Sequence, residues 1–325
     1  MAESGTRVFE SRLMSKLLDP IGAPRGWTAV TAGTLSDWTF PVQPALVDAY
    51  ASGTADELDA SRELIADWEE SLSPVRRALD SETGFALLDR VPIEDLTEAE
   101  AKRVYWRVGQ TLGTPIEQNI QGTMLYDVRD TGQDVSGGAR FSVTNAESSF
   151  HTDAAFADTP PEYVGLLSLK TAMTGGASQL VSAYALHNAL LEEAPEAVDL
   201  LYESFLFDRR GQFREGEPEL MVAPVFRWDG KELDTRYLHY YITEGHRSGD
   251  PLTSQQEDAL EEVVEIVSRP DMRVEFTLEP GQMMFTNNHW ILHNRTAFED
   301  HPEPDRRRHY VRLWLKRQGT TDEHG

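Results

Sequence analysis

Apolar positions along this chain recur with two periods, and the switches between them outline its elements. Leu58, Leu64, Ile65, Trp68 and Leu72 fall at helical spacing within residues 55–79. Gly84-Phe85-Ala86-Leu87-Leu88 reads as a strand. Thr97-x-x-Glu100 then forms a capping box that opens a helix to about Leu112, where Gly113-Thr114-Pro115 stops it. Residues 162–170 predict a buried strand, and residues 183–204 a helical stretch interrupted near Pro195. VAPVFRW, the turn Asp229-Gly230 and KELDTRYLHYYI then predict a β-hairpin. Thr253-x-x-Gln256, after Pro251, caps a helix to about Ser268, and RVEFTLE and QMMFTN add two strands around the turn Pro280-Gly281. The last strand, HYVRLWLKR, puts Tyr310, Arg312, Trp314 and Lys316 on one face and Val311, Leu313 and Leu315 on the other. Many short strands with helices mostly outside them predict an α+β protein built on a β-sandwich or barrel. Such a barrel can carry a metal site in its mouth.

Composition narrows the function more than the fold. A chain of 325 residues, 40% hydrophobic, suffices for one large core. It contains no apolar run of about 18 residues, so no membrane-spanning helix is expected. The first 20 residues carry scattered charges and no apolar stretch of the secretory kind, and read as a frayed tail before a short amphipathic segment. With no targeting signal in view, the expected location is the cytoplasm. The absence of cysteine rules out disulfides, thiolate metal sites and cysteine nucleophiles. A net charge of −25 argues against nucleic acid and anionic membranes as partners. Against that background stands a cationic island with no carboxylate inside it: Arg306, Arg307, Arg308, Arg312, Lys316 and Arg317. Three or four of these should pair with acidic surface, leaving the remainder for an anionic ligand.

The candidate chemistry begins at His151-Thr152-Asp153, where an imidazole and a carboxylate two residues apart would share one side of a strand. Two neutral imidazoles and one carboxylate form the facial triad of non-haem Fe(II) oxygenases, which leaves three coordination positions open. Alone the tripeptide says little. Nine histidines and 55 acidic residues in 325 give about one or two such matches by chance, and a second match exists at His301-Pro302-Glu303. A further histidine, His293, follows 142 residues on (293 − 151), and Arg308 lies 15 beyond it (308 − 293).

His151, Asp153, His293 and Arg308, in this order, resemble the taurine/α-ketoglutarate dioxygenase family (clavaminate synthase-like Fe(II)/2-oxoglutarate-dependent oxygenases) from about Gly84 to Lys316. Gly175-Gly176-x-Ser178, the Pro280-Gly281 turn and the ending Arg308-His-Tyr-Val-Arg312-Leu-Trp-Leu belong to the same pattern. The resemblance implies a double-stranded β-helix (jelly-roll, cupin-like) core with flanking helices and long insertions. It implies a single domain over residues 1–325: a helical elaboration at 1–80, a catalytic core at 84–317 and a flexible tail at 318–325. It also implies that His151, Asp153 and His293 bind iron and that Arg308 pairs with the distal carboxylate of 2-oxoglutarate. Ser178 would join that pairing, and Arg312 would reach toward substrate or the co-substrate carboxylate. Arginine suits such a task because its planar fork makes bidentate, charge-assisted hydrogen bonds. Asp153 also separates the chain from related halogenases, which replace the carboxylate by a small residue.

The reaction implied is 2-oxoglutarate- and O₂-dependent oxidation of a C–H bond in a small, carboxylate- or amino-acid-derived molecule of secondary metabolism. Hydroxylation, desaturation and cyclisation all fit, with succinate and CO₂ released. A hydrolase or isomerase using Zn²⁺ or Mn²⁺ at the same ligands is the alternative, and a non-catalytic binding protein would be expected had a ligand position decayed. Homo-oligomerisation stays open. His289 rivals His293, which is preferred because the family pattern it resembles has an arginine two residues after the histidine, here Arg295; His187 reads as a surface or half-buried histidine. His239, His246, His301, His309 and His324 have no ligand-like setting. Trp290 and Trp314 could keep a site dry, although plain core is the simpler role for an indole. Gln118, Asn119, Gln121, Arg209, Arg210, Arg214, Arg236, Tyr237 and Tyr241 are candidates for the substrate side.

Overall fold

The strand Met283–Asn287 is buried at every position, in a computed structural model that describes residues 15–52, 62–132 and 143–318. A strand without a polar face needs cover on both sides. It lies antiparallel between Phe85–Leu88 and Tyr163–Lys170. The sheet continues from Tyr163–Lys170 to His309–Arg317, which also pairs Gly113–Ile116 and Leu125–Val128. A second sheet holds Ser178–Ser182 between Arg273–Phe276 and Ile291–Arg295. The two sheets form the double-stranded β-helix.

Alternation along the strands sorts side chains into two cores. Phe85, Leu87, Met284 and Tyr310 share one core with Leu180 and Leu292 of the second sheet. Ala86, Leu88, Phe285, Val311, Leu313 and Leu315 point the other way, onto Val104, Tyr105 and Val108 of the helix Glu98–Leu112. Gly165 sits where sheet and helix meet. A Cβ there would lie 2.5 Å from the Tyr105 hydroxyl and 2.7 Å from the Phe285 ring, so no side chain fits.

Both expected capping boxes form, at Thr97/Glu100 and Thr253/Gln256. The hairpin is shorter than the pattern suggests. Phe226–Trp228 pairs with Leu233–Thr235, but His239–Ser248 is a helix that buries Ile242 and His246. A short apolar run such as Tyr237–Ile242 suits either period, and tertiary packing decides. Likewise the stretch 183–204 resolves into helices Ala183–Glu193 and Pro195–Leu201, and Ser204 opens a strand paired with Leu220–Pro224. The expected boundary at 84 is crossed, because Thr39–Phe40 adds a parallel strand beside Leu87–Leu88. Leu58 and residues 1–14 and 319–325 lie outside the described residues. Among the described residues no helix is long and apolar enough to cross a membrane.

Candidate active site

His151 and His293 face each other across an isolated antiparallel bridge. The His151 N–H donates to the His293 carbonyl at 3.1 Å, and the His293 N–H to the His151 carbonyl at 2.9 Å. The strand expected through Asp153 ends at once: Thr152 and Asp153 leave it, and Ala154 takes a left-handed φ of 52°. A non-glycine residue there carries strain that its surroundings must hold. The buried Asn288 does so. Its Oδ1 accepts the Asp153 N–H at 2.7 Å, and its Nδ2 donates to the carbonyls of Asp153 at 2.9 Å and Pro161 at 3.0 Å. One amide thus replaces the missing ladder bonds and fixes where Asp153 points.

The result is a convergent set of ligand atoms. The Nε2 atoms of His151 and His293 lie 3.5 and 3.7 Å from Asp153 Oδ1. His151 Nδ1 is 2.7 Å from the Ser149 carbonyl, which can only accept, so Nδ1 carries the proton and Nε2 offers its lone pair. Burial lowers the pKa of His293 and so favours its neutral, ligating form. Burial pushes the Asp153 carboxyl up, but the Arg312 guanidinium beside it helps to hold the carboxyl well below its usual range. Two imidazole lone pairs and an ionised oxygen aimed at one point fit a divalent cation.

The three residues open into a cavity of about 150 Å³ that Ser178, Arg308, Phe156 and Tyr241 also line. Arg308 is buried and stacks on Tyr310, 3.8 Å from its ring centre. Among the described residues its Nε and Nη1 have no hydrogen-bond partner. Burial lowers its pKa, yet arginine stays protonated, so an unneutralised fork faces the cavity and fits a carboxylate such as that of 2-oxoglutarate. Gly175 and Gly176 sit beneath it at φ of 72° and 73°. A Cβ on Gly176 would come 3.4 Å from Arg308 Nε, and one on Gly175 would come 2.2 Å from the Ala297 carbonyl. That accounts physically for the Gly-Gly before Ser178.

Arg312 lines the cavity, where its Nη1 lies 3.2 Å from Asp153 and its Nε donates to Gln118 Oε1 at 2.8 Å. Trp314 is buried and also lines the cavity, and its indole N–H donates to Asp153 Oδ2 at 2.7 Å. Trp290 is core, packed edge-on against Tyr184. Arg306 pairs with Glu303 at 3.6 Å and Arg317 with Asp80 at 3.1 Å, so with Arg312 three members of the island meet carboxylates.

Of the substrate-side candidates, Gln118 and Tyr241 reach the cavity. Arg236 is spent on the carbonyls of Ala157 and Asp158, at 2.6 and 3.3 Å. Arg209 and Arg210 pair with Glu217 and Asp208, and Asn119 ties the backbone of Gln121 and Thr123. Tyr237 is buried core, and its carbonyl accepts the Thr152 N–H. Arg295, also on the cavity wall, donates to the carbonyls of Thr144 and Ala146. His187 is fully buried rather than at the surface, and burial lowers its pKa to about 4.

Glu98, Asp127 and His309 form a second group with ligand atoms close together, but Lys102 Nζ already lies 2.8 Å from both carboxylates and supplies their cation. His289, the rival of His293, pairs with Asp234 at 2.7 Å and lines no part of this cavity. Burial pushes the Asp234 carboxyl up, but His289, Arg227 and Arg236 hold it down at about 2. A carboxyl depressed by folding stabilises the fold above its unfolded pKa, and that contribution disappears as pH falls through the folded value. The stability gap between wild type and Asp234→Asn is therefore expected to be about 2 kcal/mol near neutrality and to close toward pH ~2. Urea unfolding across that range checks it, and a gap independent of pH would contradict it.

Comparison with known proteins gives a consistent picture. The model of the "Taurine catabolism dioxygenase TauD, TfdA family" matches residues 50–314. FR-33289 synthase of Streptomyces rubellomurinus is 31% identical over 315 residues, covering 92% of this chain and 91% of that protein. A uridine-5'-phosphate dioxygenase of a Streptomyces species is 28% identical over 234 residues, covering 69% and 82%. Among solved structures, asparagine oxygenase with Fe(II), 2S,3S-3-hydroxyasparagine and succinate superposes with a TM-score of 0.65 at 22% identity, over 86% of this chain and 93% of that one. The non-heme iron oxygenase OrfP with Fe and α-ketoglutaric acid gives a TM-score of 0.64 at 15% identity, over the same shares, 86% and 93%. At such identities the structures speak for the fold, and the family match speaks for the chemistry. The chain belongs to the TauD/TfdA family and is a 2-oxoglutarate-dependent, non-haem iron dioxygenase.

Proposed function

We propose that His151, Asp153 and His293 hold Fe(II), that Arg308 and Ser178 hold the distal carboxylate of 2-oxoglutarate, and that the molecule oxidised is a small organic anion. The carrying observation is the pairing, in one cavity, of a convergent ligand set with a buried arginine whose Nε and Nη1 lack a partner among the described residues. A hydrolytic metal site has no use for that arginine.

When bound, Fe(II) with 2-oxoglutarate and O₂ supplies the oxidant that breaks a substrate C–H bond, with succinate and CO₂ as co-products. The chain's own residues prepare the site for it. Asn288 and the bridge to His151 fix the ligand atoms before any cation arrives, which lowers the ordering cost of binding. Arg308 sets the co-substrate's distance from the ligands through a planar two-point grip. Phe156, Leu238 and Tyr241 close the remaining wall with apolar surface and keep water from the reacting bond.

Charge supports an anionic substrate. Arg295, Arg308 and Arg312 line the cavity against Asp153 alone, a formal balance of +2 (3 − 1) in a chain of −25. A dication and a dianionic co-substrate cancel, so the loaded cavity keeps that surplus. Small carboxylates, amino-acid derivatives and other organic anions should therefore stimulate O₂-dependent succinate release, whereas neutral amides of the same skeletons should not. Equal stimulation by acid and amide would overturn the anionic assignment, and release of no succinate with any substrate would overturn the reaction assignment here.

A further inference from the structure

We propose that Trp314 is a positioning residue for Asp153: its indole N–H holds Oδ2, so that Oδ1 alone faces the two imidazoles and the carboxylate serves as a one-oxygen ligand. This rests on the metal-site reading above. The two oxygens of Asp153 have different surroundings. Both imidazole Nε2 atoms approach Oδ1, at 3.5 and 3.7 Å, whereas the indole Nε1 donates to Oδ2 at 2.7 Å. Arg312 Nη1 lies 3.2 Å from each oxygen and so favours neither.

The donor itself is locked. Trp314 packs with Ala154 and Val164, and the Arg312 guanidinium covers its ring at 4.9 Å from the centroid. Gln118 fixes that guanidinium in turn, accepting from Arg312 Nε at 2.8 Å while its own Nε2 donates to the Arg312 and Met124 carbonyls, both at 2.8 Å. The indole therefore cannot swing away without unpacking the cavity wall.

One oxygen or two decides how many positions remain. Three protein ligand atoms leave three places in an octahedral shell, enough for a two-point 2-oxo acid and one more molecule. A carboxylate bound through both oxygens would remove one of those places. Hydrogen bonds from outside the ligand set commonly control this choice, and their loss costs about 10- to 100-fold in metal affinity.

The test compares wild type with Trp314→Phe in anaerobic titrations with Mn(II), followed by calorimetry, and with Co(II), followed by its visible absorption. Phenylalanine should weaken Mn(II) binding about 10-fold and change the position and intensity of the Co(II) bands. Should phenylalanine unfold the strand, 3-benzothienylalanine at position 314 keeps the ring shape and replaces only the N–H by sulfur, with the same expected outcome. Wild-type affinity and Co(II) bands in both variants would overturn the proposal. A wild-type protein that binds neither ion would instead overturn the metal-site reading, and this proposal with it.

Discussion

His293→Ala is expected to abolish Fe(II)-dependent turnover while leaving the protein folded. In the proposed metal site the imidazole is one of three protein ligands, and its loss would leave a two-point site that the remaining pair cannot complete. The fold does not need the ring. The bridge to His151 is made by backbone groups, which alanine retains, and the neighbouring Ile291 and Leu292 keep the core contact. Metal-free His293→Ala should therefore melt close to wild type. The separation appears on adding Mn(II). A ligand at 100 times its Kd stabilises the folded state by about 2.7 kcal/mol, so wild-type melting should rise markedly with the ion and the variant's should not. A metal-dependent rise of equal size in both would remove His293 from the site. The same experiment on His289→Ala should leave the metal response intact, because His289 is engaged by Asp234.

The second large effect is at Arg308. Methionine matches the length of its apolar stem and can still lie on Tyr310 and Phe298, but it has no fork to offer a carboxylate. Truncating one side of a buried charge-assisted pair costs about 2–5 kcal/mol, roughly 30- to 4,000-fold in affinity. Arg308→Met should therefore raise the KM for 2-oxoglutarate by at least about 30-fold, with a smaller change in kcat at saturation. Stability should move the other way. The guanidinium is buried with two donor atoms that have no partner among the described residues, and an unpaired buried charge is destabilising. Metal-free Arg308→Met should be more stable than wild type by about 1–3 kcal/mol. An unchanged KM would remove Arg308 from the co-substrate site, whatever the stability did.

The parts of this protein legible in its sequence are those where one residue type can do one job. The caps at Thr97 and Thr253 and the faces of the last strand follow from side-chain chemistry at fixed spacing, while the order His151, Asp153, His293 and Arg308 was legible through its resemblance to a known family. What escaped depended on geometry between distant segments. Ser178–Ser182 and Ile291–Arg295 are strands, yet they carry Ser178, His293 and Asn294 among their apolar residues, because these positions wall the cavity rather than a plain core. The period of two failed at Asp153 because Asn288, 135 residues away, replaces the ladder there. Trp314 looked like core because nothing local reveals that its N–H meets a carboxylate. The contact between Arg312 and Asp153 was illegible because the two lie 159 residues apart in sequence.

The central claim is that one cavity binds Fe(II) through His151, Asp153 and His293 and 2-oxoglutarate through Arg308. Anaerobic addition of Fe(II) and then 2-oxoglutarate, followed by visible absorption, tests it most directly. Wild type should develop a weak metal-to-ligand charge-transfer band that needs both additions, His293→Ala should develop none, and Arg308→Met should develop it only at far higher 2-oxoglutarate. No band in wild type, or an undiminished band in His293→Ala, would contradict the account.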